Sequence, residues 1–110
     1  KWVVMGDFNT VLSPDEKTGD NFNRTAASEF LQCIYQCNLS QVPLAGVDFT
    51  WCRFTWNGWQ ASKLDRCFVQ LDDRSNTNGI SGHTIPKHHS DHNPIVVELS
   101  VTGRTSPLPF

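Results

Sequence analysis

The chain has 110 residues, of which 38% are hydrophobic and 18% are charged, and its formal net charge is −2. This length and balance are typical of one globular domain, or part of one, and exclude an intrinsically disordered protein. The slightly acidic charge argues against binding nucleic acid through a basic surface alone, and no apolar run approaches the roughly 18 residues of a membrane span.

The first predicted element is a buried strand over residues 2–5, which are apolar, β-branched or aromatic. It ends in Gly6-Asp7-Phe8-Asn9, where glycine permits a tight turn and a carboxylate and a carboxamide follow two residues apart. Two interpretations remain open. Asp7 and Asn9 either belong to a functional site on a rigid scaffold, or form an Asx-type turn in which they bond only their own backbone.

A polar loop with Pro and Gly is predicted over 13–21, beside the site. A helix follows from about residue 26 to residue 37, capped by Thr25 and stopped by Asn38. Its apolar positions recur at intervals of three and four, which predicts one face packed on a sheet.

Strands are then predicted over 39–44 and 47–51, and Asn57-Gly58 is a strong hairpin signal. We expect the second hairpin arm over 62–69, which places Asp65 in a strand. A loop over 70–79 and strands over 80–85 and 95–101 complete the pattern. The fold class is therefore α/β (α+β), a mixed sheet covered by a helix.

Four cysteines are present, and because no secretory segment opens the chain we expect free thiols. A zinc site built from cysteines and histidines fits the Cys-x₃-Cys spacing poorly. The residues concerned are Cys33, Cys37, Cys52, Cys67, His83, His88, His89 and His92.

Polar groups collect at the predicted strand ends: Asp7, Asn9, Asp65, Asp91 and His92. Carboxylates suit Mg²⁺ or Mn²⁺, and a histidine paired with an aspartate holds a fixed tautomer. These residue types suit metal-assisted hydrolysis.

Four motifs occur in order: GDFN (6–9), FTW (49–51), KLDR (63–66) and SDHNPI (90–95). The set resembles the endonuclease/exonuclease/phosphatase superfamily, which has the DNase I-like fold. In finer detail it is similar to the endonuclease domain of plant LINE-type (non-LTR) retrotransposons. The resemblance covers about residues 1–101.

The resemblance implies a divalent-metal-dependent phosphodiesterase that nicks target DNA. Asp7 would orient or deprotonate the attacking water, Asn9 would hold the scissile phosphate, and Asp65 would pair with His92, which contacts the phosphate. Asp91 would lie at the edge of a Mg²⁺ or Mn²⁺ site. Lys63 and Arg66 would touch substrate phosphate, although a solvated strand face is an alternative for both.

Members of this family have a longer, two-sheet sandwich. The resemblance implies that this chain corresponds to its C-terminal half, and we expect 102–110 to be a flexible tail. The resemblance places the main metal carboxylate in the other half, so we expect the 110 residues alone to be inactive. An uncovered sheet predicts self-association. The implied partners are DNA and a reverse transcriptase domain of the same polyprotein, in the nucleus, with no membrane.

Two other functions remain open. The chain is alternatively a non-catalytic binding or structural domain that keeps the fold, which its acidic charge favours. It is otherwise a superfamily phosphatase or phosphodiesterase acting on another phosphoester. Among the aromatic residues, only Trp56 and Trp59 lie close enough to the predicted hairpin turn to stack on a base.

Overall fold

The computed structural model describes residues 2–70, 80–86 and 90–99. Over these residues it contains one α-helix and eight strands in three small sheets, so the α+β class is confirmed. The strands are β1 Val3–Asp7, β2 Leu39–Gln41, β3 Leu44–Gly46, β4 Trp51–Thr55, β5 Gly58–Ser62, β6 Asp65–Gln70, β7 Ile80–Thr84 and β8 Ile95–Leu99. The helix, α1, is Arg24–Gln36, and a 3-10 turn covers Pro14–Glu16.

The first sheet has the strand order β1-β6-β2 and is antiparallel throughout. The second has the order β3-β7-β8 and is mixed, because β3 is parallel to β7 and β8 is antiparallel to it. Strands β4 and β5 form a separate hairpin.

Strand β6 is buried on both faces. On one face Phe68 packs against Phe8 and Phe30, with ring centroids 5.3 and 6.0 Å away, so α1 covers the antiparallel sheet. On the other face Cys67 and Val69 form a core with Val42, against which Ile80 and Val97 of the mixed sheet pack. The mixed sheet therefore lies opposite the helix, with the antiparallel sheet between them.

Helix α1 begins two residues earlier than the apolar spacing predicts. Asn23 is its cap, since its side-chain oxygen accepts a hydrogen bond of 3.0 Å from the Ala26 amide, and Thr25 lies inside the first turn. The predicted stop is confirmed: Asn38 follows the helix with φ of 55°, in the left-handed region that asparagine tolerates.

Four strand predictions are wrong in detail. The first strand, predicted as buried over 2–5, is β1, an edge strand whose Val3 and Met5 side chains are exposed. Of the strand predicted over 47–51, only Trp51 lies in a strand, as the first residue of β4. The predicted strand over 39–44 is two strands in different sheets, because Pro43 cannot donate to a ladder and separates them. The second hairpin arm is Gly58–Ser62, directly after the turn, and not 62–69.

The strand over 95–101 is confirmed to Leu99. Of the loop predicted over 70–79, Gln70 is instead the last residue of β6. The end of the 95–101 strand, residues 71–79, His88, His89 and the tail lie outside the described residues.

All four cysteines are free thiols, as predicted. Cys33 and Cys37 are exposed on α1, and a hydrogen bond with Cys33 raises the pKa of the Cys37 thiol. Burial raises the pKa of Cys67. Raised values keep both thiols protonated and poorly suited to bind zinc.

Candidate active site

Two carboxylates face each other where β1 and β6 meet. Asp7 is the last residue of β1 and Asp65 the first of β6, and they are direct partners in the antiparallel register. Beyond this pair the strands stay together through the Phe8 amide, which donates to the Leu64 carbonyl at 2.9 Å. Like charges directly opposite destabilise a sheet, so this position calls for a proton or a cation.

His92 supplies such a group. Its Nδ1 lies 2.9 Å from Asp65 Oδ2 and its Nε2 lies 3.7 Å from Asp7 Oδ2. Because an ionised carboxylate only accepts, the shorter contact requires a proton on Nδ1. The imidazole therefore lies between the two strand ends. It is hydrogen-bonded to Asp65 and lies 3.7 Å from Asp7.

The segment that carries His92 is held by the start of β4. His92 forms a bridge with Trp51, and the Cys52 amide donates to the Asp91 carbonyl at 2.8 Å. The side-chain amide of Asn93 donates to the Phe49 carbonyl at 2.9 Å. Pairing on both sides of residue 92 thus fixes the position of the His92 backbone from which the imidazole projects.

Asp7 divides its two oxygens between structure and site. Oδ1 accepts a hydrogen bond of 2.8 Å from the Asn9 amide, and Asn9 has φ of 59°. This is the predicted Asx-type turn. Oδ2 is the oxygen directed at His92. The two interpretations of this stretch are compatible, because each uses a different oxygen.

The cluster is sheltered on one side and open on the other. The Asp65 side chain is 14% exposed, whereas those of Asp7 and His92 are each 40% exposed. Asp65 therefore lies behind the imidazole, and the edge of the cluster formed by Nε2 and Asp7 Oδ2 is accessible to water and to a substrate.

The same three side chains are suitable metal ligands. One ligand atom each from Asp7, Asp65 and His92 lie within 4.8 Å of one another. Two carboxylates and an imidazole are donors that Mn²⁺ accepts, and the carboxylates suit Mg²⁺. The donor set of Asp7, Asp65 and His92 therefore fits a divalent cation.

Asp91 does not join this group. Its carboxylate forms an ion pair with Arg53, and both side chains are about half exposed. The charge of Asp91, which was predicted at the edge of the metal site, is thus neutralised by Arg53. The backbone carbonyl of Asp91 accepts a hydrogen bond from β4.

Arg66 is not available to a substrate, contrary to the prediction. Its side chain is fully buried, forms an ion pair with Glu16, and donates to Gln41 Oε1 at 3.4 Å. The prediction assumed one solvated face of the strand, but β6 is covered on both. Burial alone would raise the pKa of Glu16; hydrogen bonds from Arg66 and the Leu12 amide outweigh it, and the pKa is lowered.

Lys63 lies beside the acidic residues of the 3-10 turn, Asp15 and Glu16. Its backbone amide donates to the Glu16 carbonyl at 2.8 Å, and its charge helps to lower the pKa values of Asp15 and Glu16. Lys63 therefore contacts the loop that carries the 3-10 turn. The structure does not bring it into the cluster of Asp7, Asp65 and His92.

The sequence interpretation missed Thr50, Glu16 and Arg53. All three contact site segments from a distance in sequence: Thr50 through its hydroxyl, Glu16 through Arg66, and Arg53 through Asp91. Only Thr50 carried a signal, its place inside the FTW motif.

A comparison of the chain with protein-family models, curated proteins and solved structures found no significant match. No helix within the described ranges has the length and apolar character needed to cross a membrane.

Proposed function

We propose that the chain carries the water-and-phosphate side of a divalent-metal-dependent phosphodiesterase site. The observation that supports this most is the imidazole of His92 between Asp65 and Asp7, at 2.9 and 3.7 Å. These residues come from three distant segments, each of which belongs to one of the motifs that resemble the endonuclease/exonuclease/phosphatase superfamily.

The chain's own residues have separate tasks. Asp65 holds the imidazole through Nδ1, so that Nε2, when protonated, offers its N–H to a phosphoryl oxygen. Asp7 Oδ2 lies on the open edge, where it accepts a hydrogen bond from an attacking water. The backbone of Asn9 is fixed by the turn at Asp7, and its carboxamide is a donor for a second phosphoryl oxygen. A bound Mg²⁺ or Mn²⁺ would neutralise charge on the phosphate.

We propose DNA as the substrate, following the resemblance to retrotransposon endonucleases. The net charge of −2 gives the chain little electrostatic attraction for DNA. Affinity would then come from the metal and from neutral contacts. Self-association is also proposed, since Val3 and Met5 of the edge strand β1 and Trp2 just before it are 41–67% exposed.

The test is hydrolysis of an activated diester, bis(4-nitrophenyl) phosphate, with millimolar Mn²⁺. Its leaving group departs without protonation, so the rate reports on water activation and phosphate stabilisation. The resemblance implies that the 110 residues alone are inactive, but Asp7, Asp65 and His92 offer three ligand atoms within 4.8 Å of one another, so we expect metal-dependent hydrolysis by the chain itself. The rate should fall by roughly 10²–10⁴-fold in Asp7→Asn and in His92→Ala. Asp20→Asn, an exposed acid in the polar loop, is the matched control and should keep the parental rate.

A rate equal to that of Mn²⁺ buffer alone, or equal rates in the parent and both site variants, would refute the proposal. Competition then identifies the substrate. Duplex DNA should inhibit diester hydrolysis more strongly than an inositol phosphate or poly(A) RNA at equal phosphate concentration, and the reverse order would point to another phosphoester.

A further inference from the structure

Thr50 lies between the two halves of the Asp65–His92 pair. It immediately precedes β4 and is 1% exposed, which makes it one of the most deeply buried polar residues in the described part of the chain. Its hydroxyl oxygen accepts two hydrogen bonds, from the Leu64 amide at 2.8 Å and the Asp65 amide at 2.9 Å. The backbone at the start of β6 is therefore fixed by one side chain.

The backbone of Thr50 reaches the other half. Its carbonyl accepts a hydrogen bond of 2.6 Å from the Asn93 amide, next to His92, and its amide donates to the Ser62 carbonyl at 3.1 Å. One residue is thus bonded to the segment of the aspartate and to the segment of the histidine. These partners are 27 residues apart in sequence.

We propose that Thr50 is a positioning residue that sets the separation of Asp65 and His92, an inference that rests on the function proposed for that pair. A hydrogen bond between two side chains tolerates little displacement of either backbone. Without the hydroxyl, two partly buried amides lose their acceptor and the start of β6 must move to find another. Such movement would lengthen the contact between Asp65 Oδ2 and Nδ1.

The test compares Thr50→Val, Thr50→Ser and Thr84→Val in the 110-residue chain. Valine has the shape of threonine but no acceptor, whereas serine keeps it. Thr84, the last residue of β7, is the matched control. It is buried like Thr50, but its hydroxyl has no hydrogen-bond partner in the described structure. Amide hydrogen exchange at residues 64 and 65 and the ¹⁵N spectrum of the His92 ring are the readouts, beside diester hydrolysis.

In Thr50→Val we expect exchange at residues 64 and 65 to accelerate roughly tenfold. The share of the Nδ1–H tautomer should fall, and kcat should drop roughly tenfold while KM is kept. Thr50→Ser should restore all three and Thr84→Val should change none. Parental exchange and tautomer in Thr50→Val, or an equal rise in exchange across all strands, would overturn the inference. Changed exchange and tautomer with no hydrolysis in the parent would support Thr50 and refute the proposed function instead.

Discussion

Asn9 forms a turn beside the candidate site. Its φ of 59° places it in the left-handed region, which costs most residues roughly 1–2 kcal/mol. Asparagine and glycine reach that region more easily, because asparagine bonds locally and glycine has no Cβ. The conformation brings the Asn9 amide to Asp7 Oδ1 at 2.8 Å and so sets the orientation of the carboxylate that faces His92.

The turn and the carboxamide are separable by mutation. We expect Asn9→Ala to lower the free energy of unfolding by about 1 kcal/mol more than Asn9→Gly, because glycine tolerates this φ and alanine does not. Urea unfolding measures the difference. Both variants should lose diester hydrolysis, since both lack the carboxamide. Full activity in Asn9→Gly would show that only the backbone conformation matters.

At the scale of single residues, the motifs predicted that Asp7, Asp65 and His92 would meet. They also placed Asp91 beside these residues, where it does not lie, and missed the residues that support the cluster. Asp65 and His92 were paired through a resemblance of motifs, and they lie in hydrogen-bond contact. The burial of Arg66 was not predictable from alternation, because that pattern assumes one wet face and β6 has none.

Among the elements, β6 organises the molecule, because it joins β1 and β2 and separates the helix from the mixed sheet. Its buried arginine, Arg66, forms an ion pair with Glu16, which also accepts a hydrogen bond of 2.8 Å from the Leu12 amide. The polar loop after β1 is thereby attached to the strand that begins with Asp65. The sequence predicted this polar loop beside the site. It contained no signal that distinguishes Glu16 as the acid that pairs with the buried Arg66.

Glu16→Gln should destabilise the fold by about 3 kcal/mol at neutral pH, because it leaves a buried guanidinium without its counter-charge. The folded-state pKa of Glu16 lies below its ordinary value of 4.5. Ionised Glu16 therefore stabilises the fold fully above about pH 4.5, and this stabilisation is lost as the pH falls through the folded-state pKa.

Urea unfolding of parent and variant between about pH 7 and about pH 3 measures this effect. The gap between the two should shrink as the pH falls. Asp15→Asn, at the exposed neighbouring position, should keep the parental stability over this range, because substitutions at exposed surface positions change stability little. A gap that is constant over this range would show that the ion pair does not carry the stabilisation.

The start of α1 offers a second test at this scale. Asn23→Ala removes the cap acceptor for the Ala26 amide and should cost about 1 kcal/mol. Thr25→Ala should be neutral or slightly stabilising, because alanine has the higher helix propensity and Thr25 is exposed. Thermal unfolding decides, and the opposite ranking would restore the cap predicted from sequence.

For the whole molecule, composition and pattern predicted the class, the helix and most strands, because apolar spacing and the Asn-Gly turn are local signals. The division into three sheets and the parallel pairing of β3 with β7 depend on contacts about 40 residues apart in sequence, which local patterns do not encode.

The exposed edge of β1 predicts association between copies. Sedimentation velocity should show a concentration-dependent rise in mass for the parent chain. Met5→Lys, a charge on an edge strand at a side chain that is 47% exposed, should reduce it while leaving the melting temperature nearly unchanged. A parent that stays monomeric at all concentrations contradicts this expectation.

The central claim is that Asp65 and His92 act as one unit in hydrolysis. The most direct measurement is a double-mutant cycle of diester hydrolysis with Asp65→Asn, His92→Ala and the combination, each checked for its melting temperature. Groups that act through each other are not additive, so the double variant should lose no more activity than His92→Ala alone. Losses that multiply in the double variant would show two independent groups and contradict the account.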